Sequence, residues 1–168
     1  MPTAARRVAG LLKAADLKVV FAESSTGGLV SGALTKIPGI SNHHCGGVVV
    51  YRNETKQAYL NIPAAVLKNP GPVSRDVAEL MAIRVLEKTP EADIAASVTG
   101  HLGPNAPTAL DGVVYVSVAW RSPKGGHAQV AVKRLRCRKA DSRVVRQRWV
   151  VGQVLEFLAV QLTAAKGP

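Results

Sequence analysis

Ser24 and Ser25 stand together in Ala22-Glu23-Ser24-Ser25-Thr26-Gly27-Gly28, where Thr26 adds a third hydroxyl ahead of two glycines. An apolar run, 17–21, precedes this segment and a helix-like run, 29–36, follows it. Hydroxyls and glycines therefore sit where a strand feeds a helix. Glycine lets the backbone approach a ligand closely, and a helix N-terminus favours negative charge. Such a junction suits either a serine nucleophile with an oxyanion site or a phosphate cradle. The generic cradles lack their residues: neither the dinucleotide fingerprint nor the Gly-Lys-Ser/Thr of the Walker loop is present.

A serine nucleophile needs a base. Lysine can serve in place of histidine if burial or nearby cations lower its pKa by several units. The candidate is Lys56, in Tyr51-Arg52-Asn53-Glu54-Thr55-Lys56, just behind a β-branched run at 46–51. Tyr51 ends that run, where it can pass a proton or orient the lysine. The competing reading is a solvated lysine on a short helix, the usual state of the residue. Thr99-Gly100 follows the apolar run 92–98. Ligands of open α/β sheets gather at the carboxyl ends of strands, so this pair is a candidate beside Ser24; an ordinary strand-ending turn is the alternative. His43 and His44 are adjacent, so in a strand they face opposite sides. No metal site and no cofactor are expected.

These residues need elements to position them. Apolar spacing predicts helices at 4–15 and 26–35, the second stopped by Pro38 and Gly39. Strands are expected at 17–22, 46–51 and 92–98, and short helices at 53–60 and 63–67. Ser74 is a good N-cap for a helix through Lys88. Residues 100–111 read as a loop. Strands at 112–120 and 127–135 form a hairpin through Pro123-Lys124-Gly125-Gly126. Asp141 or Ser142 caps a final helix to about residue 163. This order predicts a three-layer α/β/α sandwich with a mixed, largely parallel central sheet, in one domain over 1–168.

The 168 residues carry a formal charge of +11, unevenly placed. Residues 1–120 hold 11 basic and 9 acidic side chains, whereas residues 121–168 hold 11 basic and 2 acidic. The densest run is 133–148, with Lys133, Arg134, Arg136, Arg138, Lys139, Arg143, Arg146 and Arg148 against Asp141 alone. That field attracts phosphates of a nucleotide or a nucleic acid, or is simply a solvated face. Lone basic runs with few aromatics are weak nucleic-acid signals, so a small nucleotide is favoured. Cys45 and Cys137 make no disulfide framework and no run is apolar enough for a membrane helix; no secretory signal is expected, and a cytoplasmic protein with free thiols is.

Taken together, the motifs resemble the C-terminal domain of CinA, the nicotinamide mononucleotide deamidase family. Ala22-Glu23-Ser24-Ser25-Thr26-Gly27-Gly28 is similar to its Ala-Glu-Ser-Cys-Thr-Gly-Gly signature. The similarity continues through Pro38-Gly39-Ile40-Ser41, Val50 to Lys56, Leu60-Asn61-Ile62-Pro63, Gly71-Pro72-Val73-Ser74 and Val98-Thr99-Gly100 with Gly103-Pro104. The ordered match covers roughly residues 8–120. The resemblance implies hydrolysis of the carboxamide of nicotinamide mononucleotide to nicotinate mononucleotide and ammonia, without a metal. It implies Ser24 as nucleophile, Lys56 as base and Tyr51 as assistant. Ser25, Thr26, Gly27, Gly28, Asn53, Thr99 and Gly100 would line the substrate site, and a homodimer or higher homo-oligomer is implied. Four departures stand out: Ser25 in place of Cys, Gly46 in place of a frequent Arg, an unusual loop at 105–112, and no clear Gly-Asp-Arg before the last helix. Arg138, Arg143 and Arg146 are the candidates to replace that arginine, with Arg143 assigned to the substrate. A catalytically altered relative that binds nucleotide or nucleic acid, and an amidase or esterase for another substrate, remain the alternatives.

Overall fold

β1 (Val19–Glu23) is buried along its whole length, as expected of a strand with a neighbour on each edge and helices on both faces. In the computed structural model, which describes residues 2–125 and 127–164, β1 lies between β2 (His44–Val49) and β3 (Ile94–Gly100), parallel to both. β4 (Val113–Arg121) pairs antiparallel with β3, and β5 (His127–Arg136) antiparallel with β4. The sheet order is β2-β1-β3-β4-β5, and every strand except β4 runs the same way. The expected mixed sheet is therefore present. The domain limits expected at 1 and 168, and Gly126 of the hairpin turn, lie outside the described residues.

Period-2 alternation divides the strands between two cores. On one face α1 (Pro2–Ala15), α2 (Leu29–Leu34) and α6 (Arg143–Ala164) cover the sheet. Val8 and Leu12 of α1 and Val150, Val154, Leu158 and Leu162 of α6 pack there with Phe21, Ile94, Ala96, Val98 and Val116. On the other face lie α3 (Asn53–Leu60), α4 (Ala64–Lys68) and α5 (Arg75–Lys88). Leu60, Leu67, Val77, Met81 and Val85 pack there with Val20, Ala22 and Ala95. Ser97 is a buried polar residue on this face of β3, and its hydroxyl donates to the Ala78 carbonyl at 2.6 Å. These layers are the expected sandwich.

Several boundaries differ from the sequence reading for physical reasons. α2 begins at Leu29 rather than at 26, because Gly27 (φ 63°) and Gly28 (φ 94°) take left-handed conformations that a helix cannot continue. β2 begins and ends two residues early. Its register against β1 shifts between Val19 and Val20, leaving Cys45 unpaired just before Gly46, which takes φ 113°. Thr99 and Gly100 are not a turn after β3 but its last two residues, paired with Tyr115 and Val114.

α5 starts where the sequence placed it. The Ser74 hydroxyl accepts from the Val77 amide at 3.3 Å and donates to the Gly71 carbonyl at 2.8 Å. Ser74→Ala is expected to destabilise the protein by about 1–2 kcal/mol in urea unfolding, with the m-value unchanged.

Candidate active site

The turn after β1 is organised by Glu23, a carboxylate only 2% exposed. It accepts from the Thr26 hydroxyl (2.6 Å) and from the amides of Gly28 (3.0 Å), Val30 (3.1 Å) and Ser31 (2.8 Å). The first amides of α2, which no side chain at Gly28 can cap, are satisfied this way, and the negative charge sits at the positive end of the helix. The Ser24 amide donates to the Val98 carbonyl at 3.0 Å. Ser24 is thus tied to β3 behind and folded over Glu23 in front.

β2 brings up Lys56. The Val50 amide donates to the Glu23 carbonyl at 2.8 Å, extending the β1–β2 ladder past the strand ends. The chain then turns into α3, whose buried side chains Lys56 and Leu60 are one helical turn apart. Lys56 is 2% exposed, and its Nζ lies 3.1 Å from Ser24 Oγ. The same Nζ reaches the carbonyls of Val50 (3.0 Å) and Tyr51 (3.4 Å). None of these contacts is a carboxylate. Burial therefore dominates and lowers the lysine pKa from 10.5 to about 8. A neutral amine has two N–H bonds and one lone pair. With the two carbonyls taking the N–H bonds, the lone pair is left for the Ser24 hydroxyl.

Above the pair is a cleft of about 220 Å³, lined by Ser24, Ser25, Tyr51, Asn53, Lys56, Thr99, Gly100, Arg143 and the segment 101–106. Eight of the eleven residues assigned to the site from sequence meet here. Thr26, Gly27 and Gly28 do not line it. Thr26 is fully buried with its hydroxyl on Glu23, and the glycines shape the turn rather than touch the cleft. The Thr99 hydroxyl donates to the Pro72 carbonyl at 2.7 Å. Tyr51 meets Lys56 through its carbonyl, whereas its hydroxyl accepts from Arg143 at 2.7 Å. Arg143 also donates to the Gly103 carbonyl and so bridges two walls of the cleft. Of the three arginines considered for a phosphate, only Arg143 lines the cleft. Arg146 is buried and holds Asp111 through two contacts, 2.7 and 3.2 Å, which keeps that carboxyl below the usual range. Arg138 is exposed and gives its carbonyl to Arg146.

Three contributors were not singled out from sequence. Glu23 has a legible signal, an acidic residue inside an otherwise apolar strand ahead of a helix lacking its own cap. His101 has a weaker one, a polar residue directly after Thr99-Gly100. Gln147 donates to the Ser25 carbonyl at 3.1 Å across 122 positions and has none. The Ser25 hydroxyl is buried without a partner among the described residues. Nor do any three metal-ligating side chains cluster among those residues, and no helix there is long and apolar enough to cross a membrane.

A serine beside a buried lysine, at the carboxyl edge of a mixed sheet covered on both faces, defines the class: an α/β protein with a serine–lysine site. The chain belongs to the CinA family, since the family model described as the CinA C-terminal domain matches residues 2–162. It is 43% identical over 109 residues to a CinA-like protein from Desulfotalea psychrophila, a match covering 65% of this chain and 26% of that protein. The matched segment thus spans about a quarter of the length of such curated relatives. Among solved structures, the competence/damage inducible protein CihA from Agrobacterium tumefaciens has 32% identity and a TM-score of 0.86, with 96% of this chain and 94% of that one covered. A CinA superfamily protein from Klebsiella pneumoniae has 25% identity and a TM-score of 0.86, covering 97% and 98%.

Glu23→Ala leaves buried amides and a hydroxyl without their acceptor, and a loss of about 3 kcal/mol or more in denaturant unfolding is expected. The lysine makes stability depend on pH. The unfolded chain keeps the Lys56 proton up to 10.5 and the folded chain releases it near 8, so folding gains as pH rises between those values and carries the full penalty below 8. Relative to Lys56→Met, the wild type is expected to gain about 2 kcal/mol between pH 7 and about 9.5, measured by urea unfolding at each pH.

Proposed function

We propose that the chain is an amidohydrolase that deamidates nicotinamide mononucleotide, or a close relative, with Ser24 as nucleophile and Lys56 as base. The observation that carries this reading is the buried Lys56 Nζ at 3.1 Å from Ser24 Oγ. As Oγ attacks the amide carbon, its proton passes to the neutral amine. The resulting ammonium returns that proton to the amide nitrogen, the C–N bond breaks, and ammonia leaves an acyl-serine. A water then gives a proton to Lys56 as it attacks the acyl carbon; Lys56 passes that proton to the departing Ser24 Oγ, and the carboxylic acid product loses its own proton to solvent.

Two further features support the reading. The Ser25 amide donates to no other described residue, and the amide after a nucleophile is a common oxyanion donor, typically worth about 3–4 kcal/mol. No carboxylate lines the cleft, and Arg143 does, which suits a substrate carrying a phosphate. The other basic residues of the run 133–148 lie outside this cleft.

Purified protein is expected to release ammonia from nicotinamide mononucleotide, with the rate rising as pH passes through about 8, where Lys56 becomes neutral. Ser24→Ala and Lys56→Met should each lower kcat by at least about a thousandfold. No ammonia from this substrate or a panel of related carboxamides, with Ser24→Ala indistinguishable from the parent, would sink the proposal.

A further inference from the structure

The cleft contains an imidazole that this chemistry leaves unused. His101 is the first residue past β3, and its main chain is fixed. Its amide donates to the Val113 carbonyl and its carbonyl accepts from the Gly112 amide, both at 2.9 Å. The ring is half-buried and makes no hydrogen bond to a described residue. Burial holds its pKa below the ordinary value, and the one charged neighbour acting against that shift, Asp111, is committed to Arg146.

Register fixes where His101 stands. Glu23 pairs with Val98, so Ser24 lies beside Thr99. His101 is two residues farther along the same backbone, roughly 7 Å at the rise of a strand, and it faces the same cleft. From a carboxamide within reach of Ser24 Oγ, the cleft wall runs past Thr99 to His101, and the ring that bears the amide has room to lie there. That ring is a cation in an oxidised pyridine nucleotide. The cleft has no carboxylate to neutralise it, and its fixed charge, Arg143, has the wrong sign. An aromatic face attracts a cation without carrying opposite charge.

We propose that the His101 imidazole is the stacking wall for the heterocycle bearing the scissile carboxamide, and that it selects a cationic pyridinium over a neutral ring. This specificity role rests on the amidohydrolase reading above.

The test compares oxidised nicotinamide mononucleotide with its reduced dihydropyridine form, which has the same phosphate and carboxamide but no ring charge. Titration calorimetry on the Ser24→Ala protein, which avoids turnover, is expected to show the oxidised form binding about five- to tenfold more tightly. Adding His101→Ala should abolish that preference by weakening the oxidised form while leaving the reduced form within about twofold. His101→Phe should restore it. Equal affinities with His101 in place, a preference that survives His101→Ala, or no binding of either form overturns the inference. So does a Phe variant that binds as weakly as the Ala variant, which would make the ring a hydrogen-bonding group. Ammonia release by the unmutated protein is read separately: preferential binding without release would retain the stacking role and reject the amidohydrolase.

Discussion

The Glu23 carboxylate is the constraint on which the site depends. It is a charge placed inside a protein, and it is tolerated because the turn it precedes supplies four donors. The same bonds decide where α2 begins and keep the backbone of Ser24 to Gly28 in one shape. The strand that carries Glu23 is held on both edges by parallel neighbours. Ser24 therefore follows a strand paired on both edges and stands at the start of a turn held by four bonds to one carboxylate.

Lys56 is buried on the opposite principle. Glu23 is stabilised as a charge by its donors, whereas Lys56 is denied a carboxylate and given two carbonyls and a hydroxyl. The alternation of β1 makes this segregation possible. Phe21 and Glu23 face α1, α2 and α6, whereas Val20 and Ala22 face α3 and α5. Ser24, next in line, falls on the lysine side. One residue of register thus turns Glu23 and Ser24, neighbours in the chain, to opposite faces of the sheet, the carboxylate toward α2 and the hydroxyl toward Lys56.

Most of the architecture was legible in the sequence because its signals are local. Buried parallel strands read as apolar runs, Ser74 marked its helix by hydrogen-bonding chemistry, and Asn53 to Leu60 formed the helix expected there. The serine–lysine pair was legible because the two residues follow adjacent strand ends. The errors arise where local patterns and tertiary geometry diverge. Thr26 looked like a substrate hydroxyl until the partner three residues before it became visible. Tyr51 does meet the lysine amine, but through its carbonyl, while its phenol accepts from an arginine 92 positions later. The clamp between Asp111 and Arg146 joins a loop to a helix through no sequence pattern at all.

The position of β5 gives the charge asymmetry a physical consequence. This strand is an outer edge of the sheet, with backbone donors and acceptors not matched by a further strand among the described residues. Lys133, Arg134 and Arg136 stand exposed along it, followed by Arg138 and Lys139. A second molecule bringing the same edge alongside would oppose cation to cation as the strands approached, an arrangement that discourages open sheets from stacking edge to edge. The basic run thereby acts as a guard rail for the sheet, independent of anything that binds in the cleft.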